Sequence, residues 1–207
     1  MNVKLKICGM RDAANIADVA ALQPDYLGFI FYEKSPRFVG ADFKMPDLPN
    51  GVKRVGVFVN EKTENIFQRI ERYKLDFVQL HGNETVRECD VLHTKGVRVI
   101  KAFSVDDGFD FDVTKSFETY VHYFLFDTKG KYFGGNAKTF DWSLLRRYNQ
   151  AVPFFLSGGI SPENISAVRE LQGLNIHAID VNSGVEDHPA FKNVSKVKAI
   201  QEVINAL

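Results

Sequence analysis

Two residues of this sequence could act as a base and an acid in proton transfer. Cys8 ends the strand candidate Val3–Cys8, and Asp127 follows the apolar run Tyr123–Phe126. A cysteine acts as a base only as a thiolate, which requires a nearby positive charge or a helix N-terminus. Asp127 would have to carry a proton to act as an acid. Lys6 cannot be assumed to help Cys8, because its side chain could point elsewhere, and a lone cysteine at a strand end is often a small packing residue.

The stretch around Asp127 has an order suited to phosphate binding as well as proton transfer. A buried strand is followed by the acid, then by a glycine-containing loop, and then by the helix start at Asp141-Trp142. An ordinary strand-to-helix connection with an aspartate cap is the alternative interpretation.

Three glycine segments indicate where a phosphate could bind. They are Gly134-Gly135, Gly158-Gly159 and Ser183-Gly184. Glycine lets backbone N–H groups approach a ligand closely, and a following helix start adds a positive dipole. Each segment alone could also be a simple tight turn, but two of them fall in the seventh and eighth loops, which often bind phosphate in α/β barrels.

Two further side chains could contact a ligand. Arg37, in the segment SPRFV, could hold a carboxylate through a bidentate pair, although a loop arginine is more commonly a solvated charge. His81 could donate a hydrogen bond or cap a turn. The remaining histidines and the two cysteines show no metal-ligand spacing, so the sequence predicts no metal site.

The candidate site residues lie in a chain in which strand and helix patterns alternate regularly. Eight strands alternating with helices predict a parallel sheet covered by helices, and eight is the number that closes a (β/α)₈ barrel. A doubly wound open sheet would give the same alternation. The segments Asp42–Leu48 and Asp112–Phe117 could be short helices or loops. The predicted strands are Val3–Cys8, Tyr26–Phe31, Lys53–Val59, Phe77–Leu80, Arg98–Ala102, Tyr123–Phe126, Phe154–Leu156 and Ala178–Val181, and the predicted helices are Asp12–Leu22, Thr63–Tyr73, Thr85–Leu92, Trp142–Tyr148, Pro162–Leu171 and Val194–Ala206.

Polar residues follow six of the predicted strands, where a barrel would bring them to one rim. The strand ends of a (β/α)₈ barrel share the face on which active sites are built. Packing alone does not explain polar groups at so many strand ends. The groups are Cys8, Asn60, Gln79 with His81, Asp127, the segment Ser157-Gly158-Gly159 and the segment from Asp180 to Gly184.

Composition restricts the class of protein. The 207 residues form one predicted domain, 1–207, with no linker or low-complexity tract. Lys+Arg and Asp+Glu both number 26, which gives no electrostatic reason to expect nucleic acid or a membrane surface as partner. Two cysteines do not make a disulfide framework, and no apolar run reaches transmembrane length. We therefore expect a soluble, cytoplasmic protein.

Motifs along nearly the whole chain resemble those of N-(5′-phosphoribosyl)anthranilate isomerase. They occur in the order typical of that family and together are highly specific. The motifs are KICGMRD (6–12), GFIFYEKSPRFV (28–39), VGVFVN (55–60), VQLHGNE (78–84), FDTKGKYFGGNAKTFDW (126–142), FLSGGISPENI (155–165) and IDVNSGVED (179–187).

The resemblance implies a (β/α)₈ barrel that performs an Amadori rearrangement in tryptophan biosynthesis. It assigns Cys8 as the general base and Asp127 as the general acid, with no metal or organic cofactor. It implies that Arg37 meets the anthranilate carboxylate, that Asp180 contacts the polar groups of the opened sugar, and that His81 lines the pocket. The phosphate would bind to backbone amides of Gly135, Gly158, Gly159, Ser183 and Gly184.

One segment departs from the family pattern. Asn136-Ala137 stand where the family usually has Thr-Gly, which puts the phosphate contact of that loop in doubt, because alanine is strained at a positive φ by roughly 1 kcal/mol. Another phosphate-binding barrel enzyme, such as an epimerase or indole-glycerol-phosphate synthase, and a non-catalytic binding domain on the same fold are the alternatives. The partner would be a small phosphorylated molecule, and both a monomer and a homodimer are compatible with the sequence.

Overall fold

The computed structural model describes residues 3–128 and 141–207, which form a closed barrel of eight parallel strands. Each strand pairs with the next along the chain, and β1 closes the ring against β8, with Lys6 beside Asp180 in register. The barrel confirms the predicted fold and excludes the open sheet. Gly135 and the Asn136-Ala137 departure lie outside the described residues. The strands are β1 (Lys4–Ile7), β2 (Tyr26–Ile30), β3 (Lys53–Phe58), β4 (Phe77–Leu80), β5 (Val99–Val105), β6 (Tyr123–Thr128), β7 (Phe154–Leu156) and β8 (Ile176–Val181).

The barrel interior changes from apolar to polar along its axis. Successive residues of a strand point to opposite faces, so every second residue points inward. At the N-terminal end these residues form one apolar layer, which includes Tyr26, Phe77, Leu125 and Phe155. Two positions further along β6, the inward residue is Asp127. The apolar layer closes the floor of the barrel and leaves the polar layer at the C-terminal rim.

The outer layer contains α-helices and 3₁₀ helices. Thr85 begins one helix with a capping box formed with Glu88, and Asp12 caps another through Asn15 N–H. Among the described residues no helix is both long and apolar enough to cross a membrane. The α-helices are α1 (Ala13–Ala20), α2 (Thr63–Tyr73), α3 (Val86–Thr94) and α4 (Val194–Asn205), and the 3₁₀ helices are Phe111–Tyr120, Trp142–Arg147, Ile165–Leu171 and Ser183–Val185.

Two segments were expected to be short helices or loops: Asp42–Leu48 is a loop, and Asp112–Phe117 lies within the 3₁₀ helix Phe111–Tyr120. Three features differ from the sequence-based expectation. The predicted helix Pro162–Leu171 begins only at Ile165 and is 3₁₀, as is the helix that follows Asp141. A hairpin that the sequence patterns did not predict, β9 (Glu186–His188) with β10 (Phe191–Lys192), follows β8.

Candidate active site

The polar rim of the barrel surrounds one pocket. It is lined by residues of β2, β3, β4, β6 and β8 and by residues that directly follow β1, β2, β3, β4, β7 and β8. Cys8, Asp127, Arg37, His81 and Asp180 all line it. The other lining residues are Ile30, Tyr32, Ser35, Val57, Val59, Gln79, Ser157, Gly158, Gly159, Ile160, Asn182, Ser183 and Gly184.

The Cys8 side chain occupies space left by a glycine on the neighbouring strand. A Cβ on Gly28 would lie 2.8 Å from Cys8 Sγ, so any larger residue there would displace the thiol. Cys8 is only 3% exposed. Burial raises the pKa of the Cys8 thiol, and the ammonium groups of Lys6 and Lys192 oppose that rise only in part. The thiolate therefore depends on two lysines that approach from different elements.

Lys6 and Asp180 form a buried ion pair below Cys8. Lys6 Nζ lies 2.8 Å from Asp180 Oδ1, and the side chains are 0% and 4% exposed. Burial lowers the pKa of Lys6, but Asp180 and Cys8 more than reverse this, so Lys6 remains charged. Burial raises the pKa of Asp180, against the effect of Lys6. Lys6 thus points toward Cys8, which the sequence alone did not settle.

Asp127 has two polar neighbours in the pocket, a backbone N–H group and the ring of His81. Thr128 N–H donates to Oδ1 at 2.9 Å, and His81 Nε2 lies 3.3 Å from Oδ2. The other ring nitrogen of His81, Nδ1, lies 2.7 Å from Gln79 Nε2. His81 is therefore a neighbour of the candidate acid as well as a pocket wall.

The loop that carries His81 is fixed by a second buried ion pair. Lys101 Nζ lies 2.9 Å from Glu84 Oε2 and also donates to the carbonyl oxygens of Leu80 and Gly82. Glu84 in turn accepts from the backbone N–H groups of Asn60 and Gly82. Asn60, which the sequence placed at the rim, serves this loop and does not line the pocket.

Arg37 is buried in an ion pair and is not a solvated loop charge. Its Nε and Nη2 bond the carboxylate of Glu186 at 2.9 and 2.7 Å, and Arg37 is 9% exposed. Lys192 Nζ bonds the same carboxylate at 2.6 Å and Asn182 Oδ1 at 2.7 Å. Burial would raise the pKa of Glu186, but the two cations outweigh it and lower the value. Burial lowers the pKa of Lys192 to about 8 despite Glu186.

Glycines bring the loops after β7 and β8 into contact at the pocket. A Cβ on Gly184 would overlap the carbonyl oxygen of Ile160, and one on Gly158, at φ +99°, would lie 2.6 Å from Thr128 N. These positions need glycine because backbones approach each other there. The two loops therefore lie against each other at the pocket, which Gly158, Gly159, Ser183 and Gly184 line.

The predicted site residues within the described part of the chain therefore come together in one pocket. Sequence reasoning placed Gln79 at the polar rim without a specific role, gave no role to Glu186 or Lys192, and left the direction of Lys6 open. The alternation of Lys6 and Cys8 on one strand face was a usable signal for Lys6, whereas Glu186 and Lys192 lie in a hairpin without a strand pattern. Within the described ranges no three His, Cys, Asp or Glu residues are arranged to hold a metal ion.

The arrangement suits proton transfer on a small anionic ligand. The Cys8 thiol directly follows β1, and the Asp127 carboxyl group lies on β6, which is well separated from β1 in the strand order of the barrel. Arg37 can receive a carboxylate, and the glycine loops can receive a phosphate.

Comparisons with known proteins identify the family to which this chain is similar. A family model described as N-(5′-phosphoribosyl)anthranilate (PRA) isomerase matches residues 5–203. An N-(5′-phosphoribosyl)anthranilate isomerase from Parabacteroides distasonis is 44% identical over 206 residues, covering 97% of this chain and 93% of the relative.

Solved structures give the same result. A phosphoribosyl anthranilate isomerase from Thermotoga maritima superposes with a TM-score of 0.86 at 33% identity, covering 99% of this chain and 100% of its own. A phosphoribosyl anthranilate isomerase in complex with reduced 1-(o-carboxyphenylamino)-1-deoxyribulose 5-phosphate superposes with a TM-score of 0.82 at 31% identity and the same coverage.

Proposed function

This chain belongs to the N-(5′-phosphoribosyl)anthranilate isomerase family, and we propose that its pocket converts phosphoribosylanthranilate to 1-(2-carboxyphenylamino)-1-deoxyribulose 5-phosphate. The reaction is an Amadori rearrangement in tryptophan biosynthesis. The observation that carries the proposal is the convergence of Cys8 and Asp127 on one pocket, together with Arg37 and two glycine loops. The substrate is a small phosphorylated molecule, and neither nucleic acid nor a membrane takes part.

Asp127 begins the reaction as general acid. It gives its proton to the ring oxygen of the ribose, the C1′–O bond breaks, and the anilino nitrogen forms a Schiff base with C1′. The carboxylate that remains is stabilised by Thr128 N–H and by the neighbouring His81 ring. Donors already in place around a developing charge need no rearrangement during the reaction.

Cys8 completes the reaction as general base. Its thiolate removes the proton from C2′, and the resulting enolamine tautomerises to the ketone. The electron pair of the C2′–H bond moves within the substrate, so neither a redox partner nor a metal is required for the balance. Lys6 and Lys192 supply the positive charge that favours the thiolate in a buried position.

The two ends of the substrate bind on different sides of the pocket. Arg37 bonds the anthranilate carboxylate, since Glu186 occupies only part of its fork of N–H groups. The phosphate binds to the backbone of Gly158, Gly159, Ser183 and Gly184, and Gly135 is a further proposed contact outside the described residues. Asp180 contacts the polar groups of the opened sugar from above Lys6.

The proposal is tested by measuring turnover of phosphoribosylanthranilate, which is monitored as the loss of the substrate's fluorescence. We expect the native protein to be active, and Cys8→Ala and Asp127→Asn each to lose several orders of magnitude in kcat. Cys89 provides a matched control, because it is the other buried cysteine and lies in α3 away from the pocket. Cys89→Ala should therefore keep nearly native turnover.

The alternatives predict different results. Near-native activity of Cys8→Ala would show that another rim residue takes the proton. A native protein without turnover that still binds reduced product analogue would be a non-catalytic binding domain, and the isomerase assignment would fail.

A further inference from the structure

Gln79 lies deep in the pocket wall and contacts neither Cys8 nor Asp127 by any hydrogen bond in the described part of the chain. It is 1% exposed, and its amide nitrogen is 2.7 Å from His81 Nδ1. Its Oε1 is buried and has no hydrogen-bond partner among the described residues. The amide therefore faces the imidazole with its nitrogen and leaves its oxygen without a partner among the described residues.

The amide of Gln79 decides which nitrogen of His81 carries the proton. An amide nitrogen donates hydrogen bonds and cannot accept them, so the contact of 2.7 Å makes His81 Nδ1 the acceptor. In a neutral imidazole the proton is then on Nε2, which lies 3.3 Å from Asp127 Oδ2.

The opposite tautomer would work against an acid at position 127. With a bare Nε2, His81 would accept the proton of the Asp127 carboxyl and direct it away from the substrate. With Nε2 protonated, His81 presents a donor to Oδ2, and Thr128 N–H donates to Oδ1, so neither neighbour takes up the proton that Asp127 carries. The same donor then stabilises the carboxylate left after the proton has gone to the sugar.

We infer that Gln79 is a positioning residue that holds His81 in its Nε2–H tautomer, so that Asp127 keeps its proton available for the substrate. The inference rests on the proposed role of Asp127 as general acid. The loop that carries His81 is independently fixed by the Lys101–Glu84 pair, so Gln79 sets the proton position and not the loop.

Imidazole ¹⁵N chemical shifts measure the tautomer directly. The resonances of His81 are assigned by their absence in His81→Asn. In the native protein we expect a protonated Nε2 and a bare Nδ1. Gln79→Met keeps the side-chain length without the donor, and should show both tautomers. Gln79→Glu offers only an acceptor, and should place a proton on Nδ1.

Kinetics distinguish positioning from a merely structural role. Gln79→Met should lower kcat by about 10- to 100-fold while KM changes less than about twofold. Gln201 is a matched control, because its amide also makes one bond, to Leu22 O, but lies on α4. Gln201→Met should leave both the His81 shifts and kcat unchanged.

Three results would overturn the inference. They are a native His81 protonated on Nδ1, an unchanged tautomer in Gln79→Met, and a changed tautomer with unaltered kcat. A native protein that lacks turnover, while its His81 tautomer still follows residue 79, would instead remove the proposed isomerase activity and leave the link between Gln79 and His81 standing.

Discussion

Replacing Lys6 by methionine tests whether the active site is built on the buried ion pair below Cys8. The substitution keeps an unbranched side chain but removes the ammonium that bonds Asp180 Oδ1 at 2.8 Å. Both side chains are almost inaccessible to water, so Asp180 becomes a buried carboxylate without a cation. Breaking a buried pair in this way destabilises a protein by about 3–5 kcal/mol.

The expected shift in urea unfolding follows from that energy. With a slope of about 2 kcal/mol/M, the urea midpoint of Lys6→Met should fall by about 1.5–2.5 M. Asp180→Leu should lose a similar amount, because Lys6 is then the uncompensated charge. Lys6→Met/Asp180→Leu removes both charges and should recover most of the stability, yet remain inactive because Cys8 has lost a supporting cation.

The pH dependence of the single variant has a definite sign. Burial already raises the pKa of Asp180, and loss of Lys6 raises it further. A carboxyl group with a raised pKa binds its proton more readily in the folded than in the unfolded chain. The loss of unfolding free energy in Lys6→Met is therefore largest at pH values above the pKa of Asp180 in the folded protein. It becomes smaller as the pH falls through that pKa.

Urea titrations of the four proteins at pH 7 and pH 5 measure these effects. Trp142 fluorescence and far-UV circular dichroism should give coincident curves if unfolding is two-state. A loss below about 1 kcal/mol for Lys6→Met at pH 7 would refute the reasoning, since such losses are usual for surface substitutions. The reasoning would also be refuted if the double variant lost as much unfolding free energy as the two single variants together.

Two other substitutions test the phosphate loops and the thiol. Gly184→Ala places a methyl group on the carbonyl oxygen of Ile160, so we expect at least a tenfold weaker affinity for the phosphorylated product analogue by calorimetry. Gly108→Ala, whose nearest neighbour would be 3.7 Å away, should leave that affinity unchanged. Lys192→Met removes a cation that lowers the pKa of Cys8, so iodoacetamide alkylation of Cys8 should require a higher pH. An unchanged alkylation profile, or equal effects of the two glycine substitutions, would contradict these expectations.

The strands that could be predicted most exactly from sequence are the short runs dominated by apolar residues. Phe77–Leu80 and Phe154–Leu156 begin and end as predicted, since strands buried on both faces leave an uninterrupted apolar signal. The helix after Asp141 is 3₁₀ where an α-helix was expected. Over fewer than two turns, a period of 3.0 is hardly distinguishable from one of 3.6.

The sequence allowed prediction of those site residues that lie at the ends of strands. Residues such as Cys8 and Asp127 reach the pocket because parallel strands of a barrel share one rim. The partner of Arg37 could not be found in this way, because Glu186 is 149 positions away. Glu186 and Lys192 belong to a short hairpin interrupted by Pro189, and no local periodicity marks it.

The closure of the barrel by its first and last strands has a consequence during protein synthesis. Cys8 is buried beside β8, and its backbone N–H bonds Val181 O at 2.8 Å, but β8 leaves the ribosome about 170 residues later. At a synthesis rate of about 5–20 residues per second, roughly 10–35 s pass between the synthesis of Cys8 and that of β8. Throughout that interval the nascent chain carries a solvated cysteine with the ordinary pKa of an exposed thiol, which is lower than in the finished barrel. The thiol of Cys8 is therefore most accessible to oxidants before the barrel has closed, and folding protects it by burying it.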